Sequence, residues 1–449
     1  MDFVEGVAAA RRTRERAQQL SKIGSGSPHR WLYKACRLYL GTVVVVGDMA
    51  AVGATSLIRG ALVDLFSITA IKYCIAALFG AILYSEKFVY LIQAHYWQDL
   101  ECQSNDSTCT KILFVADPQI QGDLAVPPPL NYLFNWDSDR YLSLTFASVI
   151  SHFRPDVLVY LGDLMDEGSI STTHQFYKYV KRLSDIFDVH YPVAQVWIPG
   201  DNDIGGENEA IKYDKIELFN AAFNQPDIVK FRNISFYKVN AITLQYPELP
   251  EDEDNNFKMV VSHYPLMIRR AFTKKLNNLI HPNIYFCAHD HESKYTIQTK
   301  AFGINYVHPT PFYEDKVLEI FFDNDDYYEV YVPTCSYRMG TSNIGYGAGI
   351  LDNNNQRMRY TVFWSPGRFP YLFFYLGMLV FLIMGLQVHP HPGAQEAVQL
   401  ILNFEMKLEC VKRKRRVGGH AKAAPAKLER LLVEAGCVAK KCALMQGMV

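Results

Sequence analysis

The side chains that end the apolar runs of this chain are those that bind metal. Lys111–Asp117 leads into Pro118-Gln119, and Asp156–Asp163 runs into a turn carrying Asp166 and Glu167. Val196–Asp203 ends in Gly200-Asp201-Asn202-Asp203, Met259–His263 precedes Tyr264-Pro265, and Ile284–His291 ends in Ala288-His289-Asp290-His291. Asp117, Gln119, Asp163, Asp201, His263, His289 and His291 offer oxygen and imidazole donors, the ligands of hard or borderline divalent ions. One such histidine alone is more often a hydrogen-bonded polar residue than a ligand; the whole set, at successive run ends, points to a two-metal centre. Two divalent ions roughly 3.5–4 Å apart clamp a phosphoryl group, supply the attacking oxygen and offset charge on the leaving one. Such a centre needs one carboxylate shared between the ions, and Asp163 is the natural bridge. The amide of Gln119 and the carboxylate of Asp201 make the set lean toward Mn²⁺ or Mg²⁺ rather than Zn²⁺. Asp117, Asp163 and Asp201 against two dications still leave the centre net positive, enough to attract a phosphodiester.

The elements that position these residues follow from periodicity. Asp156-Val-Leu-Val-Tyr-Leu-Gly162-Asp163 is an apolar run stopped by a glycine and acids, the pattern of a buried strand delivering carboxylates to its tip. In α/β folds, sites gather at the carboxyl ends of such strands. Arg140–His152 and Gln175–Phe187 carry apolar residues at three- and four-residue spacing, which predicts helices on the sheet faces. Beyond Ile234 the pattern turns to strands over Ser235–Tyr246, Ser293–Tyr306, Val317–Phe322, Tyr327–Val332 and Arg357–Trp364, and Pro247–Asn256 reads as a solvated loop. The expected fold class is α/β, a layered β-sandwich flanked by helices, with two flanking transmembrane helices.

Composition sets the outer limits. Hydrophobic residues make up 49% of the chain and aromatics 13%, and the net charge is -1, so no nucleic-acid partner is indicated. Residues 1–67 form a basic arm, in which the membrane status of 38–65 is open because Asp48, Arg59 and Asp64 interrupt its apolar stretch. Residues 68–92 are expected to span a membrane, with Glu86-Lys87 the discordant feature and Tyr96 and Trp97 as an interfacial belt. Phe369–Val388 is free of charge and has about the roughly 20 residues a bilayer requires. Lysine and arginine crowd both ends, including Lys412–Arg416, so both termini are expected in the cytosol, with residues 93–368 as a lumenal domain and 389–449 as a basic tail. Sequons at Asn105 and Asn233 fit that side, and Cys102 and Cys109 are near enough to close a small loop in an oxidising compartment. Cys287 and Cys335 are either buried thiols or a second bridge.

The order Asp-x-Gln, Gly-Asp-x-x-Asp, Gly-Asp-Asn-Asp, Ser-His-Tyr-Pro and Ala-His-Asp-His resembles the motifs of the calcineurin-like metallophosphoesterases. Ala116-Asp117-Pro118-Gln119, Gly162–Gly168, Asp203-Ile-Gly205 and Pro333–Gly340 are similar, more narrowly, to the endoplasmic-reticulum branch that remodels GPI anchors. The resemblance covers about residues 68–388. It implies a Mn-dependent phosphodiesterase that removes an ethanolamine-phosphate branch from a mannose of the GPI glycan, with GPI-anchored proteins as partners and an endoplasmic-reticulum or early Golgi membrane location. It also implies one ion held by Asp117, Gln119, Asp163 and His291, and the other by Asp163, Asp201, His263 and His289.

The third motif departs from the family pattern Gly-Asn-His-Asp. Asp201 replaces a neutral amide, and Asn202 replaces the histidine credited with binding phosphate and protonating the leaving group. Asn202 can donate a hydrogen bond but cannot give up a proton; His308 is one candidate substitute acid. Two readings follow: an active lumenal phosphodiesterase with an altered acid, or a catalytically impaired member that binds GPI-anchored cargo or metal without hydrolysis.

Overall fold

The computed structural model describes residues 68–102, 109–249, 255–299, 308–313, 316–322 and 326–388. The arm with its 38–65 stretch, the sequon at Asn105 and the tail from His389 lie outside these residues. The described part of one compact unit is Ala76–Leu376; the ends of two apolar helices, up to Ile75 and from Gly377, fall in a second.

In chain order the first elements are α1 (Ile68–Leu83), a π-helical turn (Tyr84–Phe88) and α2 (Val89–His95). There follow β1 (Thr110–Val115), α3 (Leu130–Phe153), β2 (Val157–Tyr160), α4 (Thr173–Ile186), β3 (Ala194–Trp197), α5 (Asp201–Ile204) and α6 (Tyr213–Ala222). The second half holds β4 (Ile228–Phe231), β5 (Ile234–Lys238), β6 (Phe257–Val261), α7 (Arg270–Ile280), β7 (Ile284–Cys287), β8 (Lys294–Thr299), β9 (Thr310–Pro311) and β10 (Leu318–Phe321). It closes with β11 (Asp326–Tyr331), a 3₁₀ turn (Tyr337–Met339), β12 (Gly345–Leu351), β13 (Arg357–Trp364) and α8 (Phe369–Val388).

Two sheets form the sandwich, a six-stranded one in the order β10-β13-β12-β1-β2-β3 and a seven-stranded one in the order β4-β5-β6-β7-β11-β8-β9. β1, β2 and β3 run parallel, as do β5, β6, β7 and β11, so their carboxyl ends emerge along common edges. The period-two alternation of β1 sends Ile112 and Phe114 into the layer between the sheets and Leu113 and Val115 toward the outer helices. Phe114 stacks on Phe286 of the facing sheet with ring centroids 3.9 Å apart, pinning the two layers together. α4 starts with a capping box at Thr172 and Gln175 and buries Phe176, Tyr179 and Leu183, at three- and four-residue spacing, as expected.

Several expected boundaries move. α3 begins ten residues earlier than the apolar periodicity suggested, and its first turns carry exposed apolar side chains. The strand expected over Ser235–Tyr246 ends at Lys238, because Asn240 accepts the amides of Ile242 and Thr243 and turns the chain. That expected over Ser293–Tyr306 is β8, with residues beyond Thr299 outside the described set. β12 was not visible in the sequence because its glycines carry no strand signal. A Cβ on Gly347 would come within 2.8 Å of the Tyr360 hydroxyl, so the glycine admits a large ring from the neighbouring strand.

Cys102 and Cys109 are bridged, while Cys287 and Cys335 are free, buried thiols. Among the described residues one helix is long and apolar enough to cross a membrane, Lys72–His95, and Phe369–Met384 is a shorter apolar helical stretch. Tyr73, Phe79 and Phe373 project outward, exposed. Asn233, the sequon residue within the described chain, donates its side-chain amide to Asn353 O and Asn355 Oδ1, at 3.0 and 2.8 Å; a glycan there would replace one of these two donor hydrogens.

Candidate metal centre

The carboxyl ends of β1, β2 and β3 from one sheet and β6 and β7 from the other converge, bringing Asp117, Gln119, Asp163, Asp201, His263, His289 and His291 to one site. Among the described residues, two groups could each hold a metal ion: Asp117 with Asp163 and His291, and Asp201 with His263 and His289. His263 Nε2 stands 3.0 Å from Asp201 Oδ1 and 3.4 Å from Asp163 Oδ1, so Asp163 lies between the groups. Gln119 donates its amide to Asp163 Oδ2 at 2.9 Å, with His291 Nε2 3.4 Å from the same amide nitrogen.

The backbone is bent to reach this arrangement. Asp117, Gln119, Asp163, His289 and His291 all hold positive φ, at 46°, 40°, 49°, 69° and 60°. Such strain costs of order 1–3 kcal/mol per residue and persists where the surroundings over-determine it. Gly162, at φ 88°, is required: a Cβ there would stand 2.7 Å from Gly200 N and 2.8 Å from His263 Nδ1. Gln119 N donates to Asp163 O at 2.9 Å, tying the first two strand tips together. The buried carboxylate of Asp203 ties the third to the second by accepting Gly200 N, Leu164 N and Met165 N at 2.9, 3.2 and 3.0 Å. His263 Nδ1 lies 2.8 Å from Leu161 O; donation there fixes the tautomer and leaves Nε2 free as a ligand.

The electrostatics fit a cation site. Both oxygens of Asp117 are buried without a hydrogen-bond partner, a costly state for a carboxylate unless a cation sits against it. Burial pushes Asp117 above the usual carboxylate range and Asp163 well above it. Burial also works against ionised Asp201, but hydrogen bonds from His263 and His289 hold it well below that range. For His263, burial opposes the charge, yet Asp163 and the bond to Asp201 raise it to about 10. Protons thus do, in part, what two dications would do better, and the oxygen-rich donor set suits hard or borderline ions.

Asn202 is the second residue of α5, and its side chain turns inward. Its backbone N–H donates to Asp163 Oδ1 at 2.9 Å and its side-chain amide to Asp163 Oδ2 at 2.8 Å. His308, the other candidate acid, is exposed just ahead of β9. Sequence reasoning missed three supporting residues. Arg338 donates to Gln119 O and to Asp166 Oδ2, each at 2.7 Å. Glu329, fully buried, accepts Leu266 N at 2.6 Å and Met267 N at 3.1 Å, anchoring the loop after His263. Tyr264 lays its ring 3.9 Å from that of His289. Arg338 lay inside the Pro333–Gly340 motif, which was its only advance signal.

This fold and donor set define a class, and residues 110–293 match the calcineurin-like phosphoesterase family. The likeness is confined to this domain. Its curated relatives include Metallophosphoesterase 1 of Pongo abelii, 26% identical over 178 residues, which are 38% of this chain and 44% of the relative. The Metallophosphoesterase 1 homolog of Drosophila melanogaster is 22% identical over 198 residues, 41% of this chain and 51% of the relative. The match therefore spans about half the length of these proteins. Among solved structures, a metallophosphoesterase from Sphaerobacter thermophilus aligns at 13% identity over 57% of this chain and 88% of its own, with a TM-score of 0.31.

Proposed function

We propose that this phosphoesterase is a phosphodiesterase that removes an ethanolamine-phosphate branch from a mannose of the GPI-anchor glycan, from a domain on the lumenal side of the endoplasmic-reticulum or early Golgi membrane. The observation that carries the hydrolytic part is the pair of adjacent donor groups, Asp163 belonging to one and reaching His263 of the other, with the Asp117 carboxylate buried and without a hydrogen bond among them. Support for the substrate comes from the motifs shared with the GPI-remodelling branch. Support for the location comes from the Lys/Arg-rich ends, the two apolar helices and the Cys102–Cys109 bridge.

Asp117, Gln119, Asp163 and His291 would hold one divalent ion, and Asp163, Asp201, His263 and His289 the other, Mn²⁺ being the best match to the donors. When bound, the ions supply charge neutralisation and the activated oxygen for in-line displacement. Asp163 keeps both groups in register, with Gln119 and Asn202 orienting its two oxygens. The bond between His263 Nδ1 and Leu161 O holds Nε2 toward Asp201, and Asp203 keeps the turns of β2 and β3 from separating. Asn202 supplies hydrogen bonds and no proton.

The test is incubation of the purified full chain with a GPI glycolipid in detergent, with and without Mn²⁺. Metal-dependent release of ethanolamine phosphate is expected. Metal uptake without release favours the reading in which Asn202 marks a binder that no longer hydrolyses. Protease resistance of residues 93–368 in sealed microsomes checks the lumenal side.

A further inference from the structure

Glu86 was the discordant residue of the first apolar helix, and the structure gives it partners. It sits in the π-helical turn between α1 and α2. There its carboxylate pairs with Arg140 of α3 and, at 2.7 Å, with Arg368, the residue before α8. Arg368 also pairs with Asp137, which accepts the Tyr337 hydroxyl at 2.8 Å. Beyond Glu86, Val89 and Tyr90 pack into the domain against Tyr141 and Tyr337. On the other side of this charge cluster the first helix runs without charge from Ser85 back to Tyr73, about 20 Å at 1.5 Å per residue, before Lys72, and α8 runs uncharged for about 30 Å, the thickness of a hydrocarbon core. Under the membrane-spanning reading, on which this inference rests, the cluster marks the edge of the bilayer.

Directly beside that edge lies an apolar face that none of the described residues covers. Leu124, Leu130, Tyr132, Leu133 and Trp136 are 61%, 53%, 70%, 59% and 53% exposed. Four of them open α3, and Arg140, one turn on from Trp136, has its guanidinium 5.5 Å from the Trp136 ring while pairing with Glu86. The face is therefore continuous with the helix that enters the lipid. Its composition of tryptophan, tyrosine and leucine is that of a membrane-interface belt. At its other end it is welded to the metal centre: Glu167, one residue past Asp166, accepts Leu124 N at 3.0 Å and Ala125 N at 2.6 Å. Arg182 adds a bond to Gln121 O at 2.8 Å.

We propose that Leu124, Leu130, Tyr132, Leu133 and Trp136 form a wedge that lies in the headgroup–acyl boundary of the same bilayer. Pinned to lipid at one end and to the Asp163 turn by Glu167 at the other, the wedge fixes the height of the metal centre above the membrane.

The experiment uses the full chain in nanodiscs of phosphatidylcholine with or without bromine on the upper acyl carbons, since bromine quenches tryptophan on contact. The emission of Trp136 is taken as wild type minus Trp136→Phe, a change that keeps an apolar ring at an exposed site. Carbonate washing of native membranes is run in parallel. We expect both chains to stay in the membrane pellet and the Trp136 component to fall by about half or more in brominated discs, the result of side chains seated about 5–10 Å into the interface. Retention with a smaller fall overturns the wedge alone; a face covered by a second copy or another protein would read this way. Release of the chain by carbonate overturns the spanning reading and the wedge with it. Neither readout uses hydrolysis, so the outcome is separate from that of the phosphodiesterase reading.

Discussion

Arg338 touches no donor side chain of the centre, yet its loss should weaken one ion and spare the other. Its guanidinium bonds Gln119 O and Asp166 Oδ2, each at 2.7 Å, with the two side chains 10% and 7% exposed. Gln119 holds φ at 40°, a conformation worth roughly 1–3 kcal/mol of strain that its neighbours must sustain. A charge-assisted hydrogen bond contributes about 1.5–3 kcal/mol. In Arg338→Ala, Gln119 keeps its bond from N to Asp163 O but loses the restraint on its carbonyl, and part of the strain can relax by withdrawing the side chain. A loss of about 1.4–2.7 kcal/mol in holding Gln119 is a 10–100-fold weaker ion, the range typical of residues behind a ligand. Calorimetric titration of the metal-free chain with Mn²⁺ measures it. The ion at Asp117, Gln119 and His291 should weaken by about that factor and the ion at Asp201, His263 and His289 by about threefold at most. Arg338→Lys should fall between, because one ammonium cannot satisfy both acceptors. Equal weakening of both ions, or none, would refute the reasoning.

Asp163→Asn should remove most of the bound metal and all hydrolysis, whereas Asp166→Asn should retain both ions, with the ion at Asp117, Gln119 and His291 affected through Arg338; metal analysis of the two purified variants separates them. Glu329 is raised by burial from 4.5 to about 7. A carboxyl with a raised folded value contributes stability that is complete below pH 4.5 and lost as pH climbs through 7, in all about 3 kcal/mol at 1.36 kcal/mol per unit. Denaturant midpoints of wild type and Glu329→Gln between those pH values should therefore converge in slope only if another group is responsible; the expected result is a flatter profile in the variant. Asn202→His should raise cleavage of an alkyl phosphodiester by about 10²–10⁴ while leaving an aryl diester nearly unchanged, if a missing acid limits the reaction. A wild type already fast on the alkyl diester and unimproved by histidine would show that another group protonates the leaving oxygen.

The donor set and its order were legible in the sequence because each donor follows its strand within a few residues. A buried apolar run closed by a carboxylate or an imidazole is a local feature, and Asp117, Asp163, Asp201, His263, His289 and His291 all close such runs, with Gly162 and Gly200 marking two of the ends. Helix α4 and strands β1, β2 and β7 were readable for the same reason, since burial on a sheet imposes a short period. Tertiary structure alone decided what has no local signature. The antiparallel pairing of β12 with β1 depends on glycines yielding space to Tyr360, a residue on another strand. Arg338 and Gln119 lie 219 residues apart in the chain. The charge of Glu86 was an obstacle to a membrane helix in sequence and became an anchor once Arg140 and Arg368 arrived from distant segments. Burial of a charge is unfavourable until its partner is in place, and only the folded chain supplies the partner.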